Sequence, residues 1–149
     1  MPIRLPSPAL ADPVQRPGAS LRFESELPAR LRELATLIMA RVTTAQHEWI
    51  MRRPLAERAG ITPRIIATIA VRATPPFPDA GAVLAHDIAM RPTHAASLDE
   101  AVFGRGLARF GETGLVDLVV LSGYDTIVAM TLNAFGADLP EGTPLPLPP

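Results

Sequence analysis

The chain has 149 residues, enough for one domain with a real core; 48% are hydrophobic and the mean hydropathy is +0.21, rich enough to predict apolar surface buried between subunits. A formal charge of −1 gives no electrostatic attraction for nucleic acid. Cysteine and lysine are absent, which excludes disulfides, thiol nucleophiles, thiolate metal ligands, dithiol redox centres and lysine Schiff bases.

Residues 1–26 contain Pro2, Pro6, Pro8 and Pro13 among few regularly spaced apolar residues, so the expectation is an extended arm. The same prolines interrupt any apolar signal core, which makes the cytoplasm the default compartment. Pro28 suits a first helical turn, and Leu31, Leu34, Ile38 and Val42 recur at helical spacing, predicting a first helix. Thr43 or Thr44 is placed to start a second helix over residues 45–59, kinked or divided at Pro54 and stopped by Gly60. Thr62 and Pro63 form a cap and first-turn pair for a short helix to about Val71.

After the loop ATPPFPDAG, Asp79 is a plausible cap for a helix that ends before Pro92. Ser97 and Glu100 have capping-box spacing for the next helix, with a break at Gly111–Gly114. Leu115 to Phe135 is the most apolar continuous stretch, roughly the 20 residues needed to span a bilayer. Asp117 and Asp125 interrupt it, so the reading is a core helix with no membrane partner. On that helix Leu118, Ser122, Asp125, Ala129 and Asn133 share a small, polar stripe. The prolines of DLPEGTPLPLPP predict an extended tail over residues 137–149. No segment alternates like a strand, so the fold class is all-α: one helical domain over residues 27–136 with two extended ends.

The polar residues of helices one and two are Glu33, Arg41, Gln46, His47, Glu48, Trp49 and Arg52. Glu48 and Arg52 have the spacing of an ordinary surface ion pair, or of a pocket acid beside a cation that lowers its pKa or holds a substrate carboxylate. Trp49 would wall such a pocket or sit in the core. HEWIM carries Met51 where a zinc protease needs its second histidine, and His86 and His94 have no third ligand, so no metal site is predicted. GRGLARFG follows a helix rather than a strand and is not a phosphate loop.

The segments LPARLRELATLIMARVTTAQHEWIMRRPLAERAGIT and FGETGLVDLVVLSGYDTIVAMTLNAFGADLP resemble the carboxymuconolactone decarboxylase family, which shares its fold with the alkylhydroperoxidase D proteins. The resemblance runs from about Leu27 to Pro140. It implies an all-helical alkylhydroperoxidase D-like domain assembled as a homotrimer or dimer of trimers, with sites near subunit interfaces. The cysteine positions of redox members fall on Ala45 and Glu48, their histidine on Arg52 and their upstream glutamate on Glu33, so peroxidase and disulfide-reductase chemistry is excluded. Cysteine-free relatives read similar to YEWxxH; Glu48 and Trp49 match, His47 replaces the tyrosine and Arg52 the histidine. Two tyrosines in the second segment correspond to Tyr124 and Asp125.

An imidazole shuttles protons near neutral pH and a guanidinium does not, so the proton carrier of the family is missing. The replacements expected are Glu48, His47, Asp125 and Glu33 as catalytic groups, with Arg52, Trp49, Tyr124, Ser122 and Asn133 binding substrate. The alternative pairs Arg52 with Asp125 as a buried structural ion pair. The function implied is a cofactor-free lyase or isomerase acting by proton transfer on an anionic or carbonyl-containing small molecule, an organic acid or lactone. Against it stands a non-catalytic helical oligomer that keeps the pocket for ligand binding or structure.

Overall fold

The computed structural model describes residues 7–95, 97–136, 139 and 141–149. Six α-helices carry it: α1 (Pro8–Phe23), α2 (Ala29–Val42), α3 (Gln46–Arg58), α4 (Pro63–Ala70), α5 (Ala80–Met90) and α6 (Glu100–Ala134), with a 3-10 turn at Arg91–Thr93. No strand occurs among the described residues, and the all-α class holds.

Helix α2 is the centre of the packing, in contact with α3, α4, α5 and α6. Its Leu31, Leu34, Leu37, Ile38 and Met39 are all buried, which is why so short a helix is stable: each such side chain contributes about 2 kcal/mol. Helix α4 begins as the sequence dictates, with Thr62 Oγ1 accepting from the Ile65 amide and Pro63 in the first turn. Asp79 caps α5 by accepting from the Ala82 amide at 2.9 Å.

Helix α6 is capped by Asp99, whose carboxylate accepts from the Val102 amide at 2.8 Å; Ser97 is not the cap, and Glu100 is the first helical residue. Its ladder bends at Gly111, where φ is 71° and ψ 177°, a conformation open to glycine and not to side-chain-bearing residues. The expected break is therefore a kink. Beyond it, Leu115, Leu118, Leu121, Ser122, Asp125 and Ala129 are buried, whereas Val116, Val120, Ile127 and Met130 are exposed. By length and composition α6 is the one described helix able to cross a membrane; 33% of its most apolar window is buried, and α6 packs on α2 and α5 with the Asp125 carboxylate among its buried groups.

The N-terminal expectation needs correction: residues 8–23 form a helix that packs on α6, while residues 1–6 lie outside the described residues. Ala11, Val14, Gly18 and Leu21 recur every three or four residues and form its covered side. Pro8 starts the helix, and Pro13 and Pro17 lie on the exposed side, where water can satisfy the carbonyls their rings deprive of partners. Ser25 Oγ donates to Asp117 Oδ2 at 2.6 Å and fixes the turn into α2.

The helix expected from Thr43 or Thr44 starts at Gln46, with Ala45 as its cap residue. Thr43 instead donates back to the Met39 carbonyl, and Thr44 has φ 50°. Pro54 is accommodated without dividing α3. The tail has no regular structure at 143–145 or 148–149; Gln46 holds it by donating to the Leu147 carbonyl at 2.8 Å and accepting from its amide at 2.9 Å, with Leu147 buried. Ala137, Asp138 and Pro140 of the expected tail lie outside the described residues.

Candidate functional site

Three helices converge beneath α1. Arg32, Glu33 and Thr36 come from α2, Arg52 from α3, Leu121, Tyr124 and Asp125 from α6, and Gly18, Leu21 and Arg22 close the top from α1. Glu33 and Thr36 are three apart on α2 and so share a face; the same relation holds for Leu121 and Asp125, four apart on α6. The interior left free is about 20 Å³, room for about one water and no substrate.

Asp125 is 1% exposed, and neither of its carboxylate oxygens has a hydrogen-bond partner among the described residues. Burial raises its pKa to about 6, while the neighbouring Thr36 hydroxyl, which does not close a hydrogen bond in this geometry, and the Arg52 charge act in the opposite direction. Glu48 does not line the cavity, yet it is 4% exposed, its Oε2 has no partner, and it feels both Asp125 and Arg52. Burial, then the like charge of Asp125, raises Glu48 to about 8, against a smaller opposing pull from Arg52. The two carboxyls are a coupled pair whose burial outweighs the arginines around the cavity, Arg22, Arg32 and Arg52, so between about pH 6 and about 8 they hold one proton between them.

Arg52 has a partner that neither expectation named. It pairs with Glu33 at 3.5 Å, and no ion pair joins it to Glu48 or to Asp125 among the described residues. Both side chains of that pair keep some exposure, 16% and 18%, so the guanidinium is not sealed in a filled core. Tyr124 has its pKa raised, first by burial and then by Asp125.

The remaining expected residues lie apart. Trp49 is 2% exposed and belongs to the hydrophobic core, not to the cavity wall. His47 is half-buried in the first turn of α3 and does not line the cavity; the next residue around a helix turns away by about 100°. Ser122 Oγ donates to the Leu118 carbonyl and faces a separate cleft with Met39 and Thr126. Asn133, exposed two turns beyond Asp125, donates to the Thr43 carbonyl at 2.8 Å. The polar stripe of α6 thus divides, and only Asp125 reaches the site. Among the described residues no three acids and histidines stand close enough to hold a metal ion.

The sequence profile of the Carboxymuconolactone decarboxylase family matches residues 8–87, more than half of the chain. The chain belongs to the carboxymuconolactone decarboxylase family. The match starts at the first residue of α1 and ends within α5, so the covering helix lies inside the family's domain, and Tyr124 and Asp125 on α6 lie beyond the match. No curated protein and no solved structure matches this chain. For this carboxymuconolactone decarboxylase family member the residues that sequence reasoning missed are Gly18, Leu21, Arg22, Arg32, Thr36 and Leu121. The signal for the first three was the period of Ala11, Val14, Gly18 and Leu21, masked by prolines.

Proposed function

We propose that this family member is a cofactor-independent enzyme that moves protons on a small organic acid, lactone or related carbonyl compound. The observation that carries this reading is the buried Glu48–Asp125 pair, two carboxyls whose pKa values are raised unequally, to about 8 and about 6. Near neutral pH such a pair offers a base and an acid together. Asp125 takes a proton from the carbon beside the substrate carbonyl, and the electron pair of the broken C–H bond moves onto the carbonyl oxygen. Arg52 stabilises that oxyanion, and Glu48 returns a proton at carbon. On a substrate with a carboxylate β to the carbonyl, CO2 leaves instead, its bonding pair forms the enolate, and Glu48 protonates it. Substrate enters when α1 moves away, because the covered cavity holds about one water. In this reading His47, Trp49, Ser122 and Asn133 have no catalytic or binding role.

The exposed Phe103, Leu107, Val116, Val120, Ile127 and Met130 give α6 an apolar face that suits contact with further copies. We assign it to the subunit interface of a homotrimer or dimer of trimers.

The test is a panel of small lactones and carbonyl acids turned over by wild type beside Glu48→Gln and Asp125→Asn. Loss of about 100-fold or more in kcat for each variant is expected, the usual scale of acid–base catalysis. Unchanged turnover in both would overturn the assignment. A second reading, a non-catalytic helical oligomer, is favoured by the closed cavity and the Glu33-paired Arg52. It is selected if wild type turns over nothing in the panel while both variants raise thermal stability.

A further inference from the structure

The opposite side of α2 opens on a second cavity, of about 250 Å³, enclosed with the end of α4, with α5 and with His94. Successive helix residues turn about 100°, so Ile38 and Arg41 stand nearly opposite Glu33 and Thr36. The two cavities share no lining residue. Ile38 and Ile69 are among the apolar walls of the second, and its polar side chains are Arg41, Arg72, His86 and His94.

The cationic groups are left uncompensated. Arg41 is 4% exposed, and its Nε is buried with no hydrogen-bond partner among the described residues. Arg41 Nη1 donates to Thr44 Oγ1 at 3.0 Å, and Arg72 Nη2 donates to the same hydroxyl at 3.1 Å. Two guanidiniums thus meet at one neutral acceptor, and among the described residues no carboxylate pairs with either. Burial and the charge of Arg72 both push the Arg41 pKa down, but a guanidinium stays protonated in proteins, so the imbalance is not relieved by losing a proton. The backbone is set around this arrangement: Thr44 and Arg72 both lie in the left-handed region, at φ 50° and 57°, which costs free energy for residues with a side chain.

We propose that this cavity binds a small organic oxyanion, a carboxylate or phosphate group on a compact apolar body. Arg41 and Arg72 hold the acidic group, and Ile38 and Ile69 take the apolar body. Planar guanidiniums match carboxylate and phosphate oxygens in pairs, and the burial of Arg41 strengthens its charge-assisted bonds. The volume lies just under the range of about 300–1,000 Å³ usual for ligand pockets and so selects a compact molecule. This site is independent of the Glu48–Asp125 pair and of the reaction proposed for it.

The test is calorimetric titration of the purified full chain with benzoate, phenyl phosphate, inorganic phosphate and the neutral benzyl alcohol, with the ring protons of His86 and His94 followed by NMR. Benzoate or phenyl phosphate is expected to bind once per chain, to shift both histidines, and to exceed benzyl alcohol in affinity by about tenfold or more, the value of one charge-assisted contact. Arg72→Asn, which removes an exposed guanidinium while tolerating positive φ, is expected to lose about tenfold, as is Arg41→Gln where it folds. Glu48→Gln is expected to bind as wild type does. Which of the two organic anions binds more tightly distinguishes carboxylate from phosphate, and inorganic phosphate alone measures the share of the apolar walls. Equal binding by Arg72→Asn, equal binding of benzyl alcohol, unmoved histidines, or a cavity filled by a second copy so that no anion binds would each overturn the proposal.

Discussion

Gly18 and Tyr124 touch so closely that no side chain fits between them: a Cβ added at Gly18 would lie 2.3 Å from the Tyr124 hydroxyl oxygen and 2.6 Å from the ring carbon that bears it. This contact joins α1 to α6 directly over Asp125 and is how the covering helix seats. Gly18→Ala forces the ring or the helix to give way. The expected cost is about 1–3 kcal/mol, as for other overpacked contacts, with faster amide exchange in α1. Thermal melting and hydrogen exchange check this; an unchanged melting point with unchanged exchange in α1 would show that the helix is not seated on Tyr124.

Glu48 and Asp125 should make the protein less stable as pH rises. Both pKa values are raised in the folded state, so the folded chain binds more protons than the unfolded chain between about pH 4 and about pH 8. Their protonated forms are accommodated fully below the ordinary carboxylate range. That stability is lost as pH climbs through about 6 for Asp125 and about 8 for Glu48. A loss on the order of a few kcal/mol across this window is expected in urea unfolding, much of it abolished by Glu48→Gln. Stability that is flat from pH 5 to about 8 in wild type would contradict two buried carboxyls with raised pKa values.

The apolar face of α6 predicts association. Val120 and Ile127 are exposed two turns apart, so aspartate at both positions would place charge in the proposed subunit contact without touching the core. Light scattering is expected to report an oligomer for wild type and a smaller species for the double variant, both with the same helical circular dichroism. A wild type that is already monomeric removes the assignment.

Much of the fold was legible in the sequence because α2 and α4 announce themselves by period and caps: Leu31, Leu34 and Ile38 at helical spacing, Thr62 before Pro63. Asp125 was also legible as a carboxylate that an apolar helix does not bury without consequence, and it is the group the site is built on. What escaped depends on tertiary packing. Helix propensity reads Pro13 and Pro17 as breakers, but covering Ala11, Val14 and Leu21 outweighs them when both prolines face water. Ser97 and Asp99 are both good capping residues, and it is Asp99, extended at ψ 158°, that accepts from the Val102 amide. The partner of Arg52 was equally out of reach, since Glu33 lies on another helix and sequence spacing favours Glu48.

The match over residues 8–87 fixes the family without fixing the reaction, because it assigns no residue a role and the second carboxyl, Asp125, lies outside the matched span. The proposed proton chemistry rests on the Glu48–Asp125 pair retaining a proton near neutral pH. Direct titration of the side-chain carboxyl carbons by NMR, assigned with Glu48→Gln and Asp125→Asn, measures that property. The account predicts one transition near pH 6 and another near pH 8; two transitions near pH 4, the ordinary carboxylate range, would contradict it.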